Sequence, residues 1–285
     1  MLAPASLVDL ESLVEPPAPE GPMRGGALPE RLRARYGGDL RIALRTDRPA
    51  VIVNFVSTID GVTSYQTDAA AGGGEVSGFF EPDRFVMGLL RALSDVVLIG
   101  AGTLRADDGG SWTPQTVHPE SAVDFAALRS SLGLRSNPLT AVLSASGSVD
   151  LSHPGLSDPS VDVLIVTTSS GAQRLVGQHV PANVEIRSTG DGPVEPQAVL
   201  DLLAERGAQL VLCEGGPRVL GEFLAAHLVD ELFLTIAPQL AGRSPLTPRL
   251  SLVEDMAFSV PDARWARLAG LRRGGDHLFA RYNFS

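Results

Sequence analysis

The stretch Val51-Ile52-Val53-Asn54-Phe55-Val56-Ser57-Thr58-Ile59-Asp60-Gly61 decides the fold. Its first seven residues are a nearly continuous β-branched and apolar run without polar alternation, so it reads as a strand buried on both faces of a helix-covered sheet. Asp60-Gly61 then breaks it. Working outward, residues 95–99, 139–143, 161–166, 210–213 and 231–236 repeat that signature. Between them, residues 82–94 carry Phe85, Leu89, Leu90 and Leu93 at helical spacing, with Glu81 and Asp83 near the start, and residues 196–206 and 219–227 also read as helices. Residues 257–284 differ in kind: two strand-like runs flank Arg272-Arg273-Gly274-Gly275-Asp276, a hairpin signal. The expected fold class is α/β, a mainly parallel doubly wound sheet with an antiparallel C-terminal hairpin, as one domain over residues 49–285. Residues 1–48 are expected to be an arm and a short helix. The run Glu15-Pro16-Pro17-Ala18-Pro19-Glu20-Gly21-Pro22 has little apolar surface to bury, and Arg31, Arg33 and Arg35 read as a solvated helix face.

The composition of the 285 residues, 44% hydrophobic and 20% charged, is that of a globular protein. A net charge of −10 argues against a general nucleic-acid binder, so an anionic ligand must be captured locally. All 23 basic residues are Arg and Lys is absent, which excludes a P-loop and Schiff-base chemistry. The single cysteine, Cys213, forbids an internal disulfide and a multi-cysteine zinc site, and reads as a buried strand thiol. His118, His153, His179, His227 and His277 have no metal-ligand spacing, and no G-x-S-x-G nucleophile elbow occurs. No apolar run reaches the length of a membrane span and no secretory leader is recognisable, so the expectation is a cytoplasmic protein without metal or membrane partner.

Ligands of open α/β sheets gather at the carboxyl ends of the strands. Four such ends stand out: Ser57-Thr58-Ile59-Asp60-Gly61, Gly100-Ala101-Gly102-Thr103, Thr167-Thr168-Ser169-Ser170 and Glu214-Gly215-Gly216-Pro217. The Gly100 and Gly102 backbone with the Thr103 hydroxyl fits a phosphate or a plain tight turn; the full G-x-G-x-x-G is absent. Gly215-Gly216 opens a helix whose amides suit a pyrophosphate, and two such ends together favour a dinucleotide. The hydroxyls of residues 167–170 are donors for a 2′-phosphate, predicting NADPH over NADH. Asp60 and Glu214 are acids at strand ends, placed for proton transfer or for pairing with a polar heterocycle, against the plainer alternative of turn carboxylates.

Taken in order, residues 53–61, Leu90-Arg91-Ala92, Ile99-Gly100-Ala101-Gly102-Thr103-Leu104-Arg105-Ala106-Asp107-Asp108, Cys213-Glu214-Gly215-Gly216-Pro217, Leu228-Val229-Asp230-Glu231-Leu232 and Ala237-Pro238 resemble the reductase domain of riboflavin biosynthesis, the pyrimidine reductases. The resemblance covers about residues 50–282. It implies a dihydrofolate-reductase-like fold, NADPH as cofactor, a homodimer, and reduction of the ribosyl group of a phosphoribosylamino-pyrimidine to a ribityl chain. It further implies cofactor contacts at Gly100, Gly102, Thr103, Asp107, Thr167 and Thr168, and along Gly215, Gly216, Pro217, Val219, Leu220 and Gly221. Substrate contacts are implied at Asn54, Arg91 and Glu214, with Asp60 and Glu214 as the catalytic pair. The zinc deaminase that accompanies this domain in two-domain relatives has no counterpart, since its Pro-Cys-x-x-Cys needs more than one cysteine.

The chain departs from the family pattern after Asp108. Gly109-Gly110-Ser111-Trp112-Thr113-Pro114 replaces a segment that in typical members carries a substrate-phosphate Arg, and Val62 stands where Lys or Arg often follows Asp-Gly. The competing readings are a reductase of the same fold for another heterocycle, such as dihydrofolate, and a nucleotide-binding module without turnover.

Overall fold

In the computed structural model, which describes residues 9–15, 20–66, 72–107 and 110–284, the first quoted stretch lies at the centre of the sheet. The strands in chain order are β1 (Glu11–Val14), β2 (Met23–Gly26), β3 (Leu40–Ala43), β4 (Ala50–Thr58), β5 (Val62–Ser64), β6 (Val96–Gly100), β7 (Leu139–Leu143), β8 (Val163–Thr167), β9 (Val184–Ser188), β10 (Leu210–Cys213), β11 (Glu231–Ala237), β12 (Leu250–Ser251), β13 (Ala266–Gly274) and β14 (His277–Phe284). The helices are α1 (Glu30–Tyr36), α2 (Gly74–Ser77), α3 (Glu81–Leu93), α4 (Ala101–Ala106), α5 (Pro114–Val117), α6 (Ala122–Ser131), α7 (Ser169–Leu175), α8 (Pro196–Ala204) and α9 (Pro217–Ala225). Among the described residues, ten strands form one sheet in the order β1-β13-β14-β11-β4-β10-β6-β7-β8-β9. From β11 to β9 every pairing is parallel, while β14, β13 and β1 add antiparallel strands at one edge. The expected fold class is the one observed, including the C-terminal hairpin.

Both faces of the parallel part are covered, which is why its strands read as unbroken apolar runs. Ile52, Val97, Ile99, Ile165 and Leu212 pack on one face with Phe85, Leu89, Leu90 and Leu93 of α3. Val51, Val53, Leu98, Val166 and Val211 pack on the other with α8 and α9. α3 carries Pro82 in its first turn, and its final carbonyls are satisfied from outside. Buried Arg129 of α6 donates to the carbonyls of Arg91, Ala92 and Ser94 at 3.1, 3.2 and 2.8 Å.

The described part of the N-terminal segment is more than a surface arm. β1 pairs with β13 at the sheet edge, β2 pairs with β3, and Leu10 and Leu28 lie in the core. Arg24 is buried and ion-paired to Asp95 at 3.0 Å. Residues 1–8 and 16–19 of the expected arm lie outside the described residues. Arg31 and Arg33 are exposed as expected, whereas Arg35 is drawn in over the Phe85 ring, 4.6 Å from its centroid, and pairs with Glu81.

Candidate active site

The carboxyl edge of the sheet is stepped. β10 stops at Cys213, opposite Val53 of β4 and Leu98 of β6, whereas β4 and β11 run on together as far as Thr58 and Ala237. The five residues from Asn54 to Thr58 therefore rise about 16 Å above the floor formed by β6 and β10. Glu214, the residue after β10, sits on that floor, with its N–H donating to Leu98 O at 2.9 Å.

The side chain of Glu214 points to the α3 face, where Arg91 meets it. Arg91 Nε lies 3.0 and 3.2 Å from the two carboxylate oxygens and Nη2 lies 2.6 Å from Oε2, while Nη1 donates to Thr113 O at 3.3 Å. Both side chains are more than nine-tenths buried. The sequence placed Arg91 and Glu214 separately on the substrate; the fold brings them into one fork. A carboxylate has about four lone-pair sites, so a bidentate guanidinium leaves about two for a ligand. Asn54, at the same level on β4, is buried with its side chain on this face.

The two glycine ends adjoin across the floor. A Cβ on Gly215 would fall 2.6 Å from Gly100 N and 2.7 Å from Ile99 Cα, so only glycine lets the chain pass so close to the end of β6. Gly216 N–H then donates to Thr103 Oγ1 at 2.9 Å, tying the start of α9 to α4. Pro217 occupies the first turn of α9, leaving the Arg218 and Val219 N–H groups as the first donors without an intrahelical acceptor. Gly102 is unencumbered on its outer side. Asp107 caps the chain after α4 by accepting from Gly110 N at 3.0 Å; Asp108 and Gly109 lie outside the described residues. Val219 and Leu220 are buried in the core, and a Cβ on Gly221 would meet Glu254 O at 2.9 Å, so these side-chain positions pack α9 rather than face the cleft.

Two expectations change. The Thr167 hydroxyl is fully buried and donates to Ser144 O at 2.6 Å, and the Thr168 hydroxyl donates to Ala145 O at 2.8 Å while accepting from Gly171 N at 3.0 Å. Both fasten β8 to the loop after β7, so only Ser169 and Ser170 of that run offer accessible hydroxyls. Asp60 lies beyond the end of β4, remote from Glu214 along the strand. Its carboxylate accepts from the Thr58 hydroxyl at 2.6 Å, Ala241 N at 3.0 Å and Gly242 N at 2.6 Å. These bonds hold it well below the usual carboxylate range, at about 2, and brace the 241–242 turn.

One acid of the site went unread. Asp83 of α3 is buried against Thr235 and Ser77, and burial, with Glu214 adding repulsion, pushes its carboxyl up to about 6. A helical wheel carries the signal: Asp83, Val86 and Leu90 are spaced i, i+3 and i+7, on the core side. Burial also raises the Cys213 thiol to about 12, in keeping with an inert strand residue. Among the described residues no cluster of metal-ligating side chains exists, and no helix is long and apolar enough to cross a membrane.

The two joined glycine ends and the guanidinium-held carboxylate thus meet on the stepped floor of a doubly wound α/β sheet. Residues 49–268 match the RibD C-terminal domain, and the chain belongs to that family. It is 28% identical over 198 residues to the 2,5-diamino-6-ribosylamino-4(3H)-pyrimidinone 5′-phosphate reductase of Archaeoglobus fulgidus, covering 68% of this chain and 83% of that protein. The protein of the same name from Methanothermobacter thermautotrophicus is 30% identical, with 68% and 80% covered. The chain spans about half of the riboflavin biosynthesis protein RibD of Chlamydia muridarum, 54%, at 29% identity over 75% of this chain. Among solved structures, a pyrimidine reductase-like protein from Corynebacterium diphtheriae shares the fold at a TM-score of 0.63 and 24% identity, covering 83% of this chain and 92% of that one.

Proposed function

We propose that this chain reduces a ribosylamino-pyrimidinone 5′-phosphate to its ribityl counterpart in riboflavin biosynthesis, with NADPH as the hydride source. The observation that carries the reading is the buried Arg91–Glu214 fork on the floor beside the two joined glycine ends. The cofactor fits the residues present: the missing Cβ of Gly215, the open side of Gly102 and the first N–H groups of α9 give a main-chain cradle for a pyrophosphate. Ser169 and Ser170 stand at the end of β8, two strands along the sheet from β6, for the 2′-phosphate. When bound, the cofactor supplies a hydride.

The chain's own groups bind and orient. Glu214, held in a fixed rotamer by Arg91, accepts from the amino and ring N–H groups of the pyrimidine, and leaving those donors unpaired in a dry cleft costs roughly 1–3 kcal/mol. Asn54 supplies a neutral polar group at the same level. Ring opening of the ribosylamine gives a C1′=N imine; C1′ receives the hydride and nitrogen receives a proton, so the products are the ribitylamine and oxidised cofactor. Positioning of C1′ is the protein's main contribution, since no nucleophile is required. We extend the proposal to a cytoplasmic homodimer. Trp265 and Leu268, 86% and 47% exposed beside and on β13, lie on the part of that strand that β1 leaves unpaired. Steady-state NADPH oxidation with the ribosylamino-pyrimidinone phosphate, run beside dihydrofolate, tests the reading: turnover is expected on the first, and turnover on dihydrofolate alone would replace it with the other reductase.

A further inference from the structure

The proposed substrate carries a 5′-phosphate, and a chain of net charge −10 can hold it only through a local cation. Arg91 is already committed to Glu214 and to the Thr113 carbonyl. Two other arginines near the strand ends donate to main-chain carbonyls, Arg105 to Ser148 and Arg243 to Asp60.

Arg84 differs from these. It is exposed on α3 and makes no hydrogen bond or ion pair with any described residue; its charge acts only through space on neighbouring Asp83. Seven residues separate it from Arg91, which is two helical turns to within about 20°, so both stand on one face of α3 about 10 Å apart along the axis. α3 runs from the carboxyl edge of the sheet back toward the start of β6, so Arg84 lies nearer the carboxyl edge than Arg91 does. Half-exposed Met87 lies between them on that face. Gly88 closes one side: a Cβ there would meet Pro114 O at 3.3 Å, so the chain carrying Thr113 runs alongside the stripe.

We infer that Arg84 is the phosphate anchor of this site, its guanidinium taking the 5′-phosphate of a substrate whose ring is held by Glu214. The inference rests on the reductase reading above. An opened ribosyl chain with its phosphate reaches from the floor toward the carboxyl edge, and a free guanidinium on that side matches the dianion in a bidentate fork. It also fixes the end of the sugar farthest from the ring, which orients C1′ between two held points.

The test compares kcat/KM for the phosphorylated substrate and its dephosphorylated nucleoside in the wild type, Arg84→Ala and Arg84→Lys. Arg84→Ala is expected to shrink the preference for the phosphorylated form by about 10- to 100-fold, and Arg84→Lys to restore part of it. An equal preference in wild type and Arg84→Ala overturns the inference while leaving the reductase reading standing. If the wild type turns over neither compound, the reductase reading fails. Calorimetric titration of ribose 5-phosphate then decides on Arg84 by itself: binding weakened by Arg84→Ala supports the anchor, and binding unchanged overturns it.

Discussion

Arg91 and Glu214, 123 residues apart in the chain, meet as a two-toothed fork with Nη2 2.6 Å from Oε2 and with both side chains more than nine-tenths buried. Neither residue is positioned by its own element alone. α3 carries the guanidinium back toward the carboxyl edge because helical side chains lean to the N-terminus, and β10 ends early enough to leave the carboxylate room. The pair fixes the carboxylate of Glu214 on the cleft floor.

Truncating one partner strands the other. Arg91→Ala is expected to destabilise the fold by about 3–5 kcal/mol, as for other buried ion pairs broken on one side. A combined Arg91→Met, Glu214→Leu variant should recover most of that loss while remaining inactive. Urea unfolding of the three proteins checks this, and additive losses in the double variant would show that the fork is not a coupled unit.

Glu214→Gln keeps the shape but replaces an acceptor with a partial donor facing the pyrimidine. KM for the substrate should rise by about tenfold or more with NADPH affinity retained. Loss of cofactor binding with unchanged substrate KM would move Glu214 to the other subsite.

Thr103→Val removes the acceptor of Gly216 N–H and with it the tie between the two glycine ends. NADPH affinity is expected to fall about tenfold with little change in melting temperature, measured by quenching of NADPH fluorescence. An unaltered affinity would detach the tie from the cofactor cradle.

Asp83 gives the protein a pH signature. Its carboxyl titrates near 6 in the folded chain against an ordinary value of 3.8, so between those values the native state holds more protons than the unfolded one. Its contribution to stability therefore falls as pH rises from about 4 to about 6, and above that an ionised buried carboxylate costs on the order of 3 kcal/mol. Asp83→Asn should flatten this part of the curve and stabilise the protein at pH 8; a wild-type curve that rises between pH 4 and 6 in parallel with the variant's would refute it.

Asp60 acts in the opposite direction. Its carboxyl is held near 2, so the stability it provides is present above about pH 4 and is lost as pH falls through 4 toward 2. Asp60→Asn should speed amide exchange at Ala241 and Gly242 and should not shift any inflection of the rate profile between pH 5 and 9. A shifted inflection would return Asp60 to proton transfer.

The parallel strands and the hairpin were legible because burial on both faces leaves unbroken apolar runs, and the glycine ends were legible because they interrupt those runs abruptly. Asp60 reads as poised over the cleft for the same reason, as an acid just past a strand. The sequence does not reveal that β4 outruns β10, which carries Asp60 away from Glu214 and onto the 241–242 amides. The Thr167 and Thr168 hydroxyls looked available because their acceptors, carbonyls of residues 144 and 145, come from a different strand end. The edge strand Glu11–Val14 is short, lies beside prolines and owes its place to β13, whose Arg273 pairs with Glu11 from the far end of the chain and which no local pattern announces.

The most direct test follows the hydride. NADPH carrying deuterium on the transferring face of nicotinamide C4 is incubated with the ribosylamino-pyrimidinone phosphate and the wild-type protein, and the product is analysed by mass spectrometry and proton NMR. One deuterium per product molecule is expected, located at C1′ of a ribityl chain, with loss of that product in the combined Arg91→Met, Glu214→Leu variant. Unlabelled product, label at any other carbon, or no consumption of NADPH with this substrate would contradict it.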